Sequence, residues 1–217
     1  MPKVTVEHLE ARKNQILEAA RACFLRKGFH QTTMQDICQE CGLSPGAIYR
    51  YFRSKEDVVE TASEQGRGQQ MDLIRQVRER LGTPEVLDAL AQHFFGMLAS
   101  VEDWTPAELQ IWAESLRNAR LREIMRRGYQ EYLDVLAGII GQGMAEGKFN
   151  PNLDPKAVTQ VAIAIFEGTA MQKAVFPDEV DIQKVLQVVH SLFAGEFWCG
   201  SSSNQARAGV ADSKAEG

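Results

Sequence analysis

The segment from Thr32 to Val59, TTMQDICQECGLSPGAIYRYFRSKEDVV, leaves this chain little conformational freedom. Thr33 followed three residues later by Asp36 has the form of a helix N-terminal capping box. Gly42 can adopt the left-handed conformation that ends a helix in a tight turn. Ser44 and Pro45 then open a second short helix, because proline at the first turn gives up an N–H that would have no partner there. Ser54 and Asp57 open a third and longer one. Ile37, Leu43, Ile48 and Phe52 are spaced to close a miniature core between the two short helices. Neither is long enough to be stable alone. Together, around a glycine turn, they read as a helix-turn-helix.

The outward side of the second helix would show Ser44, Gly46, Ala47, Tyr49, Arg50 and Tyr51. Small residues at the N-terminal end of a helix let its backbone approach base edges closely. Tyrosine hydroxyls and the Lys55 ammonium suit phosphate oxygens, which fix register without reading sequence. Arg50 and Gln35 carry donor patterns that suit base edges. The charge distribution agrees. The net charge is −5, yet residues 1–60 hold 9 Lys/Arg against 8 Asp/Glu, and the remainder holds 15 against 21. Only the first part tolerates a polyanion. The candidate DNA-contacting set is therefore Thr33, Gln35, Ser44, Gly46, Ala47, Tyr49, Arg50, Tyr51 and Lys55.

Residues 13–59 resemble the DNA-binding domain of TetR/AcrR transcriptional regulators. The resemblance rests on ILEAARACFLRKGF, TTMQDIC and CGLSPGAIYRYFRSKEDVV at their mutual spacing, a pattern more specific than an isolated helix-turn-helix. It implies that Ser44 to Tyr51 form the recognition helix, that Tyr49 and Tyr51 touch the DNA backbone, and that Lys55 binds a phosphate at the start of the fourth helix. Cys38 and Cys41 stand where small apolar residues are more usual. The run YLDVLAGIIGQGMAEGKFNPNLDPKAVTQVAIAIFEGTA is similar to one subtype of the family's C-terminal domain: a long helix, a Gly-Lys-Phe turn, then an Asp-Pro-capped dimerisation helix.

Helical periodicity runs through nearly the whole chain, and no alternating Val/Ile/Thr stretch reads as a strand. The fold expected is all-α with about nine helices. An N-terminal three-helix helix-turn-helix domain spans 8–55, and a helical bundle for ligand binding and dimerisation spans 56–198. The Ser/Ala/Gly-rich tail, 199–217, lacks an apolar face and reads as disordered. The first helix should run from about His8 to Lys27 and stop at Gly28. The fourth should reach Leu81, with Gly66 and Gly68 making its middle uncertain. The fifth should run from Thr83 to about Ser100, the sixth from Thr105 to Asn118, and the seventh from Ala119 to Glu146. The eighth should open at Asp154–Pro155, and the ninth at Asp178, ending near Trp198.

The eighth helix is apolar nearly all round in Val161–Phe166, so both sides must be covered. The ninth carries Ile182, Val185, Leu186, Val189, Leu192 and Phe193. A homodimer through residues 155–198 follows, as a four-helix bundle with the symmetry mate. Two recognition helices on a palindrome, about 34–36 Å apart, would then supply affinity that one cannot.

Phe94, Phe95, Met97, Trp104, Trp112, Met125, Tyr129, Phe166 and Met171 form an apolar set across helices five to eight. Most belong to a packed core. Phe94, Met97, Trp112, Met125, Tyr129, Phe166 and Met171 are the candidates for lining a cavity that takes a small apolar or amphipathic effector. Glu167 is expected to pair across the dimer, and His93 to be a satisfied core residue. Arg117, Arg120, Arg122, Arg126 and Arg127 could meet an anionic ligand, but a solvated face with Glu123–Arg127 as an i, i+4 pair is favoured.

Cys38-x-x-Cys41 could hold a metal only with Cys23 and His30, and core packing is favoured. With no export signal at the N-terminus, the four cysteines, Cys199 included, read as reduced thiols. No stretch reaches the roughly 18 apolar residues of a membrane span, so a cytoplasmic protein is expected. No cofactor and no catalytic constellation is indicated. The composite reading is a ligand-released repressor on a palindromic double-stranded operator. The alternatives are a co-repressor-dependent regulator, or an all-helical enzyme or metal carrier with an incidental helix-turn-helix.

Overall fold

The computed structural model describes residues 6–98 and 105–194. Among them the chain is helical without strands: α1 (Val6–Lys27), α2 (Met34–Cys41), α3 (Pro45–Ile48), α4 (Lys55–Arg80), α5 (Thr83–Met97), α6 (Thr105–Ser115), α7 (Ala119–Ala145), α8 (Pro155–Val175) and α9 (Ile182–Ala194). Trp104, the end of the ninth helix near Trp198, Cys199 and the 199–217 tail lie outside the described residues.

Asp154, read from the sequence as the opening of α8, accepts from the Lys156 N–H. Asn118, expected only as the end of the sixth helix, accepts from the N–H groups of Arg120 and Leu121 and caps α7. α6 ends at Ser115 rather than at Asn118, and α4 reaches the expected end at Arg80 with Leu81 as its cap. α4 runs unbroken through Gly66 and Gly68, because its packing against α7 outweighs their low propensity. α9 begins at Ile182 rather than at Asp178, and Asp181 accepts from the Gln183 and Lys184 N–H groups. The Lys173 ammonium takes the carbonyls of Pro177 and Val180, which holds the preceding residues in a turn.

Three apolar clusters organise the molecule. The first contains Ile16, Ala20, Phe24, Ile37, Ile48, Phe52 and Val58 from α1–α4, together with Ala107 and Ile111 of α6 and Leu121 and Ile124 of α7. The helix-turn-helix core is thus continuous with the ends of α6 and α7. The second cluster joins α5, α8 and α9 through Phe95, Ala170, Ile182, Leu186 and Val189. The third joins α4, α5 and α7 through Ile74, Val86, Leu90 and Ile139.

The turn after α1 shows how tightly the first cluster is fastened. Gly28 has φ +81°, a value that side-chain-bearing residues adopt only with strain. Gln110 of α6 reaches over it, and its Oε1 accepts from the Phe29 N–H at 3.0 Å. A Cβ on Gly28 would stand 2.6 Å from that oxygen. Gly28→Ala is expected to lower stability by about 1–2 kcal/mol, through strain and loss of this bond. That is a fall in melting temperature of roughly 2–8 °C by thermal denaturation. An unchanged melting temperature would contradict the assignment.

Candidate functional site

The helix-turn-helix is built from short-range bonds. Thr33 Oγ1 accepts from the Asp36 N–H at 3.1 Å, and Asp36 Oδ2 accepts from the Thr33 N–H at 2.8 Å, so both halves of the capping box are present. The Lys27 ammonium, 2.5 Å from Asp36, and then the Thr33 backbone bond hold the Asp36 carboxyl far below the usual carboxylate range. Gly42 closes α2 at φ +66°. Ser44 Oγ accepts from the Ala47 N–H and opens α3. Gln15 of α1 donates to the Cys41 carbonyl at 2.9 Å, and Arg26 pairs with Glu40 at 2.6 Å. α2 is therefore tied to α1 along its length.

The recognition element is shorter than the sequence suggests. α3 covers only Pro45–Ile48, and Tyr49 to Tyr51 form a turn in which the Tyr51 N–H reaches the Ile48 carbonyl at 2.8 Å. The cause is tertiary. Ile48 and Phe52 are both buried, and tightening the turn brings Phe52 back to the core. Ser44, Gly46, Tyr49 and Arg50 are exposed, as are Thr33 and Gln35 at the start of α2, while Ala47 is half-buried. Tyr51 departs from the expected outward row: it is half-buried and packs against the first cluster.

Lys55 also differs from the free phosphate ligand expected. Its ammonium donates to the Phe29 carbonyl at 2.6 Å and to the His30 carbonyl at 3.2 Å, and stands 4.5 Å from the Phe29 ring centroid. Burial lowers its pKa. Two of its three donors are used to fasten α4 to the α1–α2 turn. Cys23 and Cys38 are buried in the first cluster, where loss of solvation pushes both thiols up. They serve as core residues.

The seven effector candidates do not converge. Phe94 and Phe166 meet edge to face at 5.9 Å, and Phe95 joins them at 5.6 Å from Phe166. Tyr129 is half-buried on α7. Met125 packs against the first cluster instead, and Met97, Trp112 and Met171 are exposed at 44%, 41% and 51%. His93 lies edge-on to Phe94 but is exposed, as is Glu167 in the single chain. Two residues outside the effector candidates lie inside the bundle: Arg67 of α4, its side chain 16% exposed and paired with Glu131, and Tyr132, a member of the apolar stripe of α7 whose Oη is buried. Their signal is positional. Arg67 shares a helix face with Met71 and Ile74, and Tyr132 with Leu136 and Ile139.

The arginines of α7 form neither a plain solvated face nor an open anion site. Arg120 donates to Ser54 Oγ at 3.3 Å, to Glu60 at 3.1 Å and to Asp57, and Arg127 also pairs with Glu60. Asn118 donates to Glu56 at 3.0 Å. Partial burial raises the Asp57 carboxyl, but the Arg120 bond and the Arg53 N–H bring it below its ordinary value. Arg122 donates to the Ser115 and Leu116 carbonyls. Glu123 is held by Arg126 at 2.8 Å, and its expected partner Arg127 stands farther off at 3.9 Å. The first two turns of α4, which carry the helix-turn-helix, are thereby clasped to the start of α7.

Comparison with known proteins agrees with this architecture. The family model for bacterial regulatory proteins of the tetR family matches residues 16–62, and that for the C-terminal domain of BetI-type transcriptional repressors matches residues 83–197. The uncharacterised HTH-type transcriptional regulator YfiR of Bacillus subtilis is 28% identical over 82% of this chain and 87% of its own. The fatty acid degradation regulator FadR from Bacillus halodurans superposes with a TM-score of 0.76 at 26% identity, covering 85% of this chain and 95% of its own. The transcriptional regulator FadR from Bacillus subtilis, solved in complex with stearoyl-CoA, has a TM-score of 0.72 at 23% identity, covering 84% and 98%.

Proposed function

Since the chain belongs to the TetR family of bacterial regulatory proteins, we propose that it is a repressor that grips a palindromic operator as a homodimer and is released by a small amphipathic effector. One observation carries the reading: Thr33, Gln35, Ser44, Gly46, Tyr49 and Arg50 stand exposed together on a helix-turn-helix whose every cap is satisfied internally. Arg50 and Gln35 are exposed donors suited to base edges, and Tyr49 and Thr33 suit phosphates. Lys55 and Tyr51 support the unit from behind, with one Lys55 donor left for a phosphate. The DNA-binding part corresponds to about residues 8–55, and the effector and dimer part to 56–198. Among the described residues no helix is long and apolar enough to cross a membrane, and we place the protein in the cytoplasm with its DNA.

The dimer is supported by what α8 and α9 leave uncovered. Val161, Met171 and Val175 of α8 are exposed, as are Val188, Leu192 and Phe193 of α9. Val161, Ala164, Gly168, Met171 and Val175 recur every three or four residues, a single stripe along the helix. Ile182, Leu186 and Val189 face inwards, so α9 divides its apolar residues between the protomer core and this face. The expected pairing through 155–198 uses the outward set.

Fluorescence anisotropy on labelled genomic duplexes tests the reading. Binding should select a palindromic fragment and weaken steeply with salt, as phosphate contacts release counterions. Indifference to sequence at moderate salt would defeat it. Tyr49→Ala should weaken operator binding about fivefold and leave the far-ultraviolet circular dichroism unchanged, since the exposed side chain supports no core. Unaltered affinity would remove Tyr49 from the contact set. A co-repressor-dependent regulator would show the opposite sign, its operator affinity rising with ligand.

A further inference from the structure

Tyr132 presents an imbalance inside the effector domain. Its hydroxyl is buried and makes no hydrogen bond among the described residues. Such an atom carries the full desolvation penalty of a polar group, and a phenylalanine would avoid it. Burial raises its pKa strongly; the nearby Arg67 charge opposes this, and the Glu108 and Glu131 carboxylates add to it. The phenol is therefore neutral at physiological pH and able to donate.

Arg67 provides the second group. Its Nε pairs with Glu131 Oε2 at 3.2 Å. The remainder of the guanidinium lies along α7 over Gly128, where an added Cβ would come within 3.5 Å of Nη1. Gly128 precedes Tyr132 by one helical turn, so guanidinium and phenol share a face. The contacts Arg120–Glu60, Arg67–Glu131 and Arg78–Gln142 step along α4 and α7 in the same direction. One turn beyond Arg67 comes Met71, and one turn beyond Tyr132 comes Leu136. Both are partly buried and pack with Phe94 against the third cluster. The arrangement has a donor-bearing end, where Glu131 offsets the Arg67 charge, and an apolar end. Seven residues of helix, from Tyr132 to Ile139, separate the two by about 10 Å.

On the effector reading above, we infer that Arg67 and Tyr132 receive the anionic oxygen-bearing end of an amphipathic effector, whose apolar body lies towards Met71, Phe94 and Leu136. A carboxylate, carbonyl or phosphoester oxygen accepts from both groups at once. A quaternary ammonium has no lone pair and accepts from neither group. The three phenylalanines nearby pack edge against face on each other rather than forming a box around a cation.

Isothermal calorimetry with sodium dodecanoate, and with dodecyltrimethylammonium as its cationic counterpart, tests this on the full chain. Dodecanoate should bind the wild type, about tenfold more weakly to Tyr132→Phe and about thirtyfold more weakly to Arg67→Gln. The cationic amphiphile should bind at least about tenfold more weakly than dodecanoate, and neither substitution should weaken it further. Without ligand, Tyr132→Phe should melt about 2–4 °C higher, because the unpaired hydroxyl is gone. Weaker binding by a more stable protein is not misfolding. Equal dodecanoate affinity in all three proteins overturns the site, as does preference for the cation, absence of dodecanoate binding, or a lower melting temperature for Tyr132→Phe. An operator titration in parallel separates the two readings. Operator release that is the same in both variants removes the site and keeps the effector. Binding that depends on Arg67 and Tyr132 but never shifts operator affinity removes the effector reading and keeps the site.

Discussion

If the proposed homodimer forms through α8, glutamate at both Met171 and Val175 is expected to leave a monomer of 24.2 kDa and to weaken operator binding by at least about a hundredfold. Both side chains are more than half exposed in the single chain and make no part of its buried core. The protomer should therefore keep its fold. In a two-fold interface each substitution occurs twice, so four carboxylates would be brought together in an apolar setting without partners. A single helix-turn-helix then binds one half-site, and the gain from holding two at a fixed spacing is lost. Light scattering reads the mass, and anisotropy on a full and a half operator reads the consequence. If the variant stays dimeric, the stripe on α8 is not the interface. A monomer with undiminished affinity for the full operator would show that the interface does not set operator binding.

What was legible beforehand was what short-range chemistry decides. Thr33 and Asp36, Gly42, Ser44 and Pro45, and Asp154 are capping signals whose partners lie within four residues, and each does what its position suggests. The departures arise where distant residues compete. Asp178 and Asp181 are equally good caps, and the choice falls to Lys173, seven residues before Val180. The recognition helix ends early because Phe52 must return to the core. Gly66 and Gly68 stay helical because α4 is backed by α7. For the effector site, apolar periodicity names candidates but not the side of the helix a neighbour covers. Met97, Trp112 and Met171 have the right chemistry on faces left open, and Met125 turns towards the DNA-binding core. Arg67 and Tyr132 look like a solvated cation and a stripe residue until α4 and α7 are laid side by side.

The same juxtaposition governs how an effector would reach the DNA. Replacing Arg120 and Arg127 together by alanine is expected to reduce the effect of dodecanoate on operator affinity by about tenfold, while ligand binding itself persists. Arg120 alone holds three groups at the start of α4, namely Ser54, Asp57 and Glu60, and Arg127 adds a second hold on Glu60. These pairs are about half exposed on the arginine side, so each adds little to stability and the variant should fold. Their value is positional. Lys55 fastens the same turn of α4 to Phe29 and His30, and Gln110 fastens Phe29 to α6. On the proposed effector site, a shift of α4 against α7 at Arg67 and Tyr132 would be passed to the recognition segment only while the clasp makes the two helix ends move as one. Without it, α4 can yield locally and the conformers that ligand and DNA distinguish become closer in energy. Hydrogen exchange should then quicken in residues 54–61 and in the α1–α2 turn, and remain unchanged in α8. Exchanging the charges, with Arg120→Asp and Asp57→Arg in one chain, should recover part of the response. If the double alanine variant answers the ligand as fully as the wild type, the signal travels instead through the apolar contact of α6 with α1.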